Sequence, residues 1–210
     1  NVAALLFAVA LDSGIKAQKF YRAAFFIPCL VSAIIVGFVW LKMYSNVLPA
    51  LNDLLGTNID FGLFGKGETV LTGLLIANNW QWIGYWMLIY LAGLQSVPAE
   101  LYEAAKIDGA GRWQLMWHVT LPAIRGTIIL MLIMKVGSLL NTGYEQIFLM
   151  QNAMNRSVSD VFDTYIYTKG IVNGQYSLAT AAGLFKSIVS MVMVVGANKI
   201  AKLFGESGLY

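Results

Sequence analysis

The chain has 210 residues, 58% of them hydrophobic and 12% charged, where a soluble domain carries about a quarter charged residues. This excludes an ordinary soluble fold and points to an integral membrane protein, all-α because backbone groups in lipid can be satisfied only internally. The formal net charge of +3 gives no reason to expect nucleic acid, and the single cysteine, Cys29, sits in an apolar run and excludes a disulfide framework.

In chain order, "NVAALLFAVAL" (1–11) offers only part of a spanning helix before Asp12 and Ser13 stop it. The chain opens on Asn1 and lacks the basic region and small-residue cleavage site of a signal peptide, so a truncated N-terminus is expected. Four longer apolar runs follow, 23–44, 70–94, 124–140 and 178–200, each long enough to span. Trp80, Trp82, Tyr85 and Trp86 fall within the second; such side chains stack on sugar rings, and near the end of a span they also serve as interfacial anchors.

Between the second and third runs lies an ordered polar stretch, 99–122. Pro98 can start a helix, Glu100 and Glu103 are expected in its first turn facing the positive end of the helix dipole, and the helix should run from Ala99 to Ile107. Asp108, Gly109, Ala110 and Gly111 break it. "RWQLMWHVTL" then makes a second amphipathic helix, and Pro122 marks the approach to the next run. Two short helices around a glycine turn form either a docking protrusion or a hairpin packed at the lipid headgroups. His118, within it, has no Cys or second His nearby for a metal and no serine–acid arrangement for catalysis.

Polar groups within the later runs are costly in hydrocarbon. Lys135 and Lys186 are expected at nearly the same depth, a little outside the midplane, and Asn141, Tyr144, Glu145 and Gln146 continue the polar character outward. Two readings stand side by side: a polar pathway facing a solute, or structural pairing and snorkelling. The connection 152–177 carries Ser157 and Asp160 in capping-box register, a mixed-face segment "VFDTYIYTK", and Gly170 placed to end it. A helix over about 158–169, lying near the outer interface, is expected.

Lys and Arg in short connections favour the cytoplasm. Lys16, Lys19 and Arg22, then Lys106, Arg112 and Arg125, then Lys199 and Lys202 alternate so as to share one side. The other side holds only Lys66, Arg156 and Lys169 among Asp53, Asp60, Glu68, Glu145, Asp160 and Asp163. The stretch 99–122 and the C-terminus are therefore expected in the cytoplasm.

Glu103, Ala104, Ala105, Gly109, Val119, Leu121 and Pro122 resemble the "EAA" motif of permease subunits in bacterial binding-protein-dependent ABC importers, with Val119 where isoleucine is usual. "YEAAKIDGAGRWQLMWHVTLPAI" is similar to the carbohydrate-importing, maltose-type branch. "GYEQIFLM", "DVFDTYIYTKGI", "GLFKS" and the final "GLY" resemble its polysaccharide or complex-oligosaccharide subgroup. The resemblance implies a type I ABC importer transmembrane domain over 1–210, with fewer spans than the family usually has. It implies no catalytic residue in this chain, and a coupling helix at 99–122 seated in a separate ATPase, with Glu103, Ala104, Ala105, Asp108, Gly109, Leu121 and Pro122 at the contact.

The implied partners are a dimer of ATP-binding subunits carrying ATP and Mg, a second and different permease subunit, an extracytoplasmic solute-binding protein, a carbohydrate and membrane lipid. The place implied is the bacterial inner membrane. No phosphate loop lies in this chain: Gly65 and Lys66 lack a glycine five positions earlier, where Asp60 stands. Two other classes make different demands on the sequence. A secondary transporter of a polar solute needs broken helices in matching halves, which the sequence lacks; an intramembrane enzyme needs paired Asp, Ser and His or a metal-ligand set within the spans.

Overall fold

The computed structural model of the chain describes residues 1–13, 15–56, 67–153, 155–205 and 208–209. Gly65, Lys66 and the final Tyr210, singled out above, lie outside them. Among the described residues all regular structure is helical. In chain order the helices are α1 (Val2–Asp12), α2 (Gln18–Leu30), α3 (Ala33–Leu55), α4 (Gly67–Gln95), α5 (Ala99–Ile107), α6 (Arg112–Ala123), α7 (Arg125–Gly137), α8 (Tyr144–Met150), α9 (Arg156–Ser159), α10 (Phe162–Ile166, continued by a π-helical turn Tyr167–Val172) and α11 (Tyr176–Leu203).

The expected run 23–44 is not one helix. Pro28 has no N–H to offer the preceding turn, α2 ends at Leu30, and Ser32 takes an extended ψ of 141° before α3 begins. The carbonyl of Val31 left over at the break accepts a hydrogen bond from Gln81 Nε2 at 3.1 Å. The expected run 124–140 also differs: α7 closes at Gly137, and Ile124, at φ −95° and ψ 8°, bends α6 and α7 by 61° just after Pro122. Length and composition make α3 and α11 able to cross a bilayer, and the bent α6–α7 pair a third span if it counts as one. The 29 residues of α4 cover the expected 70–94, but Asn78, Asn79 and Gln81 interrupt its apolar character.

The chain divides into two compact units. The first gathers Asn1–Ile27, Ile83–Gly137 and Ser190–Tyr210. Ala4, Ala8 and Leu11 form one stripe of α1 and bury with Met87, Tyr90, Leu91 and Leu94 of α4, Ile124 and Met131. Small residues set the close approaches, as is usual where lipid removes the hydrophobic drive between helices. At Gly84 a Cβ would coincide with the Phe25 carbonyl, at Gly93 it would come 3.0 Å from Thr127 Oγ1, and at Gly137 it would press on Val194.

The second unit gathers Pro28–Trp82 and Ser138–Val189. Here α3 packs along α8, with Gly37 facing Leu149, and Tyr44, Val70, Ala77 and Met150 bury together. Trp40 meets Tyr44 at 5.2 Å and Trp80 at 5.7 Å between ring centroids. In the part of α11 that belongs to this unit Leu184, Phe185 and Ile188 are all exposed. A face so apolar and uncovered by its own chain belongs against hydrocarbon or another protein.

Candidate functional site

Two groups of residues carry chemistry, one in each unit. In the first unit, α5 and α6 form the hairpin expected at 99–122. Pro98, with φ −57° and ψ 133°, caps α5, and the helix ends as the glycine turn predicts. The N–H of Gly109 donates to the Lys106 carbonyl at 3.0 Å and the N–H of Ala110 to the Ala105 carbonyl at 2.9 Å. This pair of bonds, with Gly109 left-handed at φ +80°, is a Schellman closure. A Cβ at Gly109 would meet nothing within 4 Å, so the demand for glycine there is conformational. Gly111 opens α6 by donating its N–H to Gln114 Oε1 at 2.8 Å.

The two arms are tied by Tyr102 Oη and Thr120 Oγ1, 3.2 Å apart. Thr120 also donates to the Leu115 carbonyl at 3.2 Å, spanning the π-helical turn Met116–Thr120. Glu100 occupies the first turn of α5; Glu103, expected there, lies beyond it. Glu103, Ala104, Asp108 and Gly109 face outward and Ala105 is half-buried. Leu121 packs on the core of the unit, and Pro122 stands at the bend before α7. Leu121 is half-buried and fixes how the hairpin leaves the core of its unit, whereas Pro122 is exposed beside it.

The hairpin's outward face carries residues that sequence reasoning did not single out. Ile107 is 87% exposed, Trp113 76% and Trp117 62%. The signal was present in "RWQLMWHV", where Trp113 and Trp117 fall one turn apart on the same side of α6. Exposed tryptophans are the kind of side chain that anchors interfaces. His118 Nδ1 lies 3.2 Å from the Gln114 carbonyl, and no cluster of metal-ligating side chains occurs among the described residues.

In the second unit the polar residues predicted as a pathway divide. Lys186 of α11 forms an ion pair with Asp163 of α10. One turn after Asp163, Tyr167 stacks on Tyr144 of α8 with centroids 5.3 Å apart and rings inclined by 24°, and Phe148 meets Tyr167 edge-on at 5.1 Å. In the sequence Asp163 counts only among the acids of one side and, with Tyr167, as part of an interfacial helix. Gln146 is buried and its Nε2 has no hydrogen-bond partner; it faces α3. Glu145 and Asn141 are exposed. Lys135 belongs to the first unit, where its ammonium lies 5.0 Å from the ring centroid of Trp86.

The helix expected over about 158–169 is divided and shifted. Asp160 takes an extended ψ of 132° and accepts a hydrogen bond from the Thr164 hydroxyl, so it precedes α10 and ends α9. Gly170 lies inside the π-helical turn, where a Cβ would press on Ala179, and the segment continues to Val172. Asn155 anchors the stretch before α9: fully buried, it donates Nδ2 to the Met150 carbonyl and accepts from the Asn152 N–H.

Residues 2–205 match the family of binding-protein-dependent transport system inner membrane components. The chain belongs to this family. Among curated relatives it is similar to Protein LplB of Bacillus subtilis strain 168, 42% identical over 214 residues, which cover 99% of this chain and 67% of the relative. It is equally similar, at 42% over 200 residues, to the polygalacturonan/rhamnogalacturonan transport system permease protein YteP of the same organism, covering 92% of this chain and 61% of that protein. The chain thus spans roughly two thirds of the length of these relatives. Among solved structures, a bacterial alginate ABC transporter in complex with an alginate pentasaccharide-bound periplasmic protein contains a chain that superposes with TM-score 0.91 at 29% identity, over 99% of this chain and 73% of that one.

Proposed function

We propose that this chain is a non-catalytic permease subunit of an ATP-driven oligosaccharide importer. It forms part of the translocation pathway in the inner membrane and engages a separate ATPase, which carries ATP and Mg, through the α5–α6 hairpin. The observation that carries the reading is the hairpin itself, in a chain of this family. A Schellman-closed helix presents Glu103, Ala104 and Asp108 outward, and a second helix adds the exposed Trp113 and Trp117. Small side chains on α5 allow close approach, while the tryptophans supply rigid apolar anchors. The relatives' names and the alginate transporter support an oligosaccharide as cargo. A second permease chain and a binding protein on the opposite face complete the proposed assembly, with the hairpin on the cytoplasmic side.

The test is to purify the full-length subunit with whatever co-assembles, reconstitute it, and follow ATP hydrolysis and oligosaccharide uptake together. A nucleotide-binding subunit in the complex, with uptake that requires ATP, is the expected result. Uptake driven by an ion gradient in the absence of such a subunit overturns the reading in favour of a secondary transporter.

A further inference from the structure

We infer that Lys186 is a recognition point for the carboxylate of an acidic oligosaccharide, with Asp163 as the internal counter-ion that holds it when no sugar is present; this rests on the permease reading above. Lys186 is the cation of an ion pair between α10 and α11, its side chain 13% exposed and that of Asp163 22% exposed. The pair is thus shielded but reachable. Separating it with a neutral ligand leaves two poorly hydrated charges, which is unfavourable. A ligand carboxylate instead replaces one charge-assisted contact by another, and Asp163, the more exposed partner, turns to water. The surroundings suit a sugar acid. Tyr167 stands one turn from Asp163 and is stacked with Tyr144, both rings half-buried, so aromatic surface follows the acid of the pair along α10.

The experiment uses the reconstituted importer complex with two probes that share one backbone, galacturonate oligomers and their methyl esters. ATP-dependent uptake is measured for the parent, Lys186→Gln, Asp163→Asn and the double variant Asp163→Asn/Lys186→Gln. The parent is expected to favour the acid over the ester by ~10-fold or more, since a site that pairs with a charged group discriminates strongly against its absence. Lys186→Gln collapses that ratio towards unity, and Asp163→Asn keeps or raises it. The double variant removes both charges of the pair, so its insertion does not depend on the ion pair; it too should lose the acid preference. Equal uptake of acid and ester by the parent overturns the inference, as does an acid preference that survives in the double variant. Absence of ATP-dependent uptake of either probe by the parent overturns it as well; all three outcomes leave the permease reading in place, which stands or falls on co-purification of a nucleotide-binding subunit.

Discussion

Gly84 and Gly109 need glycine for opposite reasons, and only one of them was legible in the sequence. At Gly109 there is open space but a left-handed φ of +80°, and the break after an amphipathic stretch announced a turn. At Gly84 the conformation is helical and the space is taken by the Phe25 carbonyl, a tertiary fact that apolar periodicity does not encode. Different substitution profiles follow. Gly84→Ala places a methyl on a backbone atom that cannot rotate away, so α2 and α4 must separate, at a cost of ~1–3 kcal/mol. A clear fall in the melting temperature of the purified protein in detergent checks this, and an unchanged melting temperature refutes the close crossing. Gly109→Asn should be mild because Asn tolerates the left-handed region. Gly109→Val should insert normally yet weaken recovery of the ATPase subunit, because a β-branched residue resists the turn that presents α5. Equal ATPase recovery with Asn and Val at this position would show that the turn geometry is not what matters.

At the level of elements, the sequence was most informative where polar punctuation is local. The bounds of α5 follow from Pro98 and the Asp108–Gly109 turn, and the helix observed is the one expected. The break between α2 and α3 was not legible. Residues 23–44 read as one apolar run, and Pro28 alone is compatible with a kinked helix. What sustains a full break is a remote side chain, Gln81, which takes the Val31 carbonyl. Gln81→Met keeps the bulk but leaves that carbonyl unpaired, at an expected cost of ~1–3 kcal/mol. Thermal melting of this variant beside the parent measures it, and parental stability would mean the break is held by packing alone. In the same way Asp160 looked like part of a capping box inside one helix, whereas its bond to Thr164 places it ahead of the second helix. For the hairpin, Trp113→Ala with Trp117→Ala should lower co-purification of the ATPase subunit by ~10-fold or more, as loss of aromatic anchors does at other interfaces. If the subunit is recovered at the parental level, the tryptophans face lipid headgroups instead.

At the scale of the whole chain, membrane sidedness is set by a distribution of charge, so it is a property the sequence can carry without any tertiary detail. Basic residues collect around 16–22, 106–125 and 199–202, and acids dominate the intervening connections. Reporter positions for this map must be exposed and conformationally undemanding. Gly111 meets both conditions, at φ −74° and on the surface of the hairpin. Asn155, at the far end of the map, does not: it is fully buried and bonded to Met150 and Asn152, so a cysteine there reports on accessibility and loses a structural anchor. Gln175 is exposed and bonds through its backbone, its N–H donating to the Lys169 carbonyl and its carbonyl accepting from the Ala179 N–H, which a substitution leaves intact. With Cys29 replaced by Ser, the variants Gly111→Cys and Gln175→Cys should label with a membrane-impermeant maleimide from opposite faces, Gly111→Cys from the cytoplasmic one. The reason is the cost of carrying Lys106, Arg112 and Arg125 across the bilayer, set against the acidic character of the 145–163 stretch. Labelling of both positions from one face overturns the sidedness, and with it the placement of the hairpin where an ATPase can reach it.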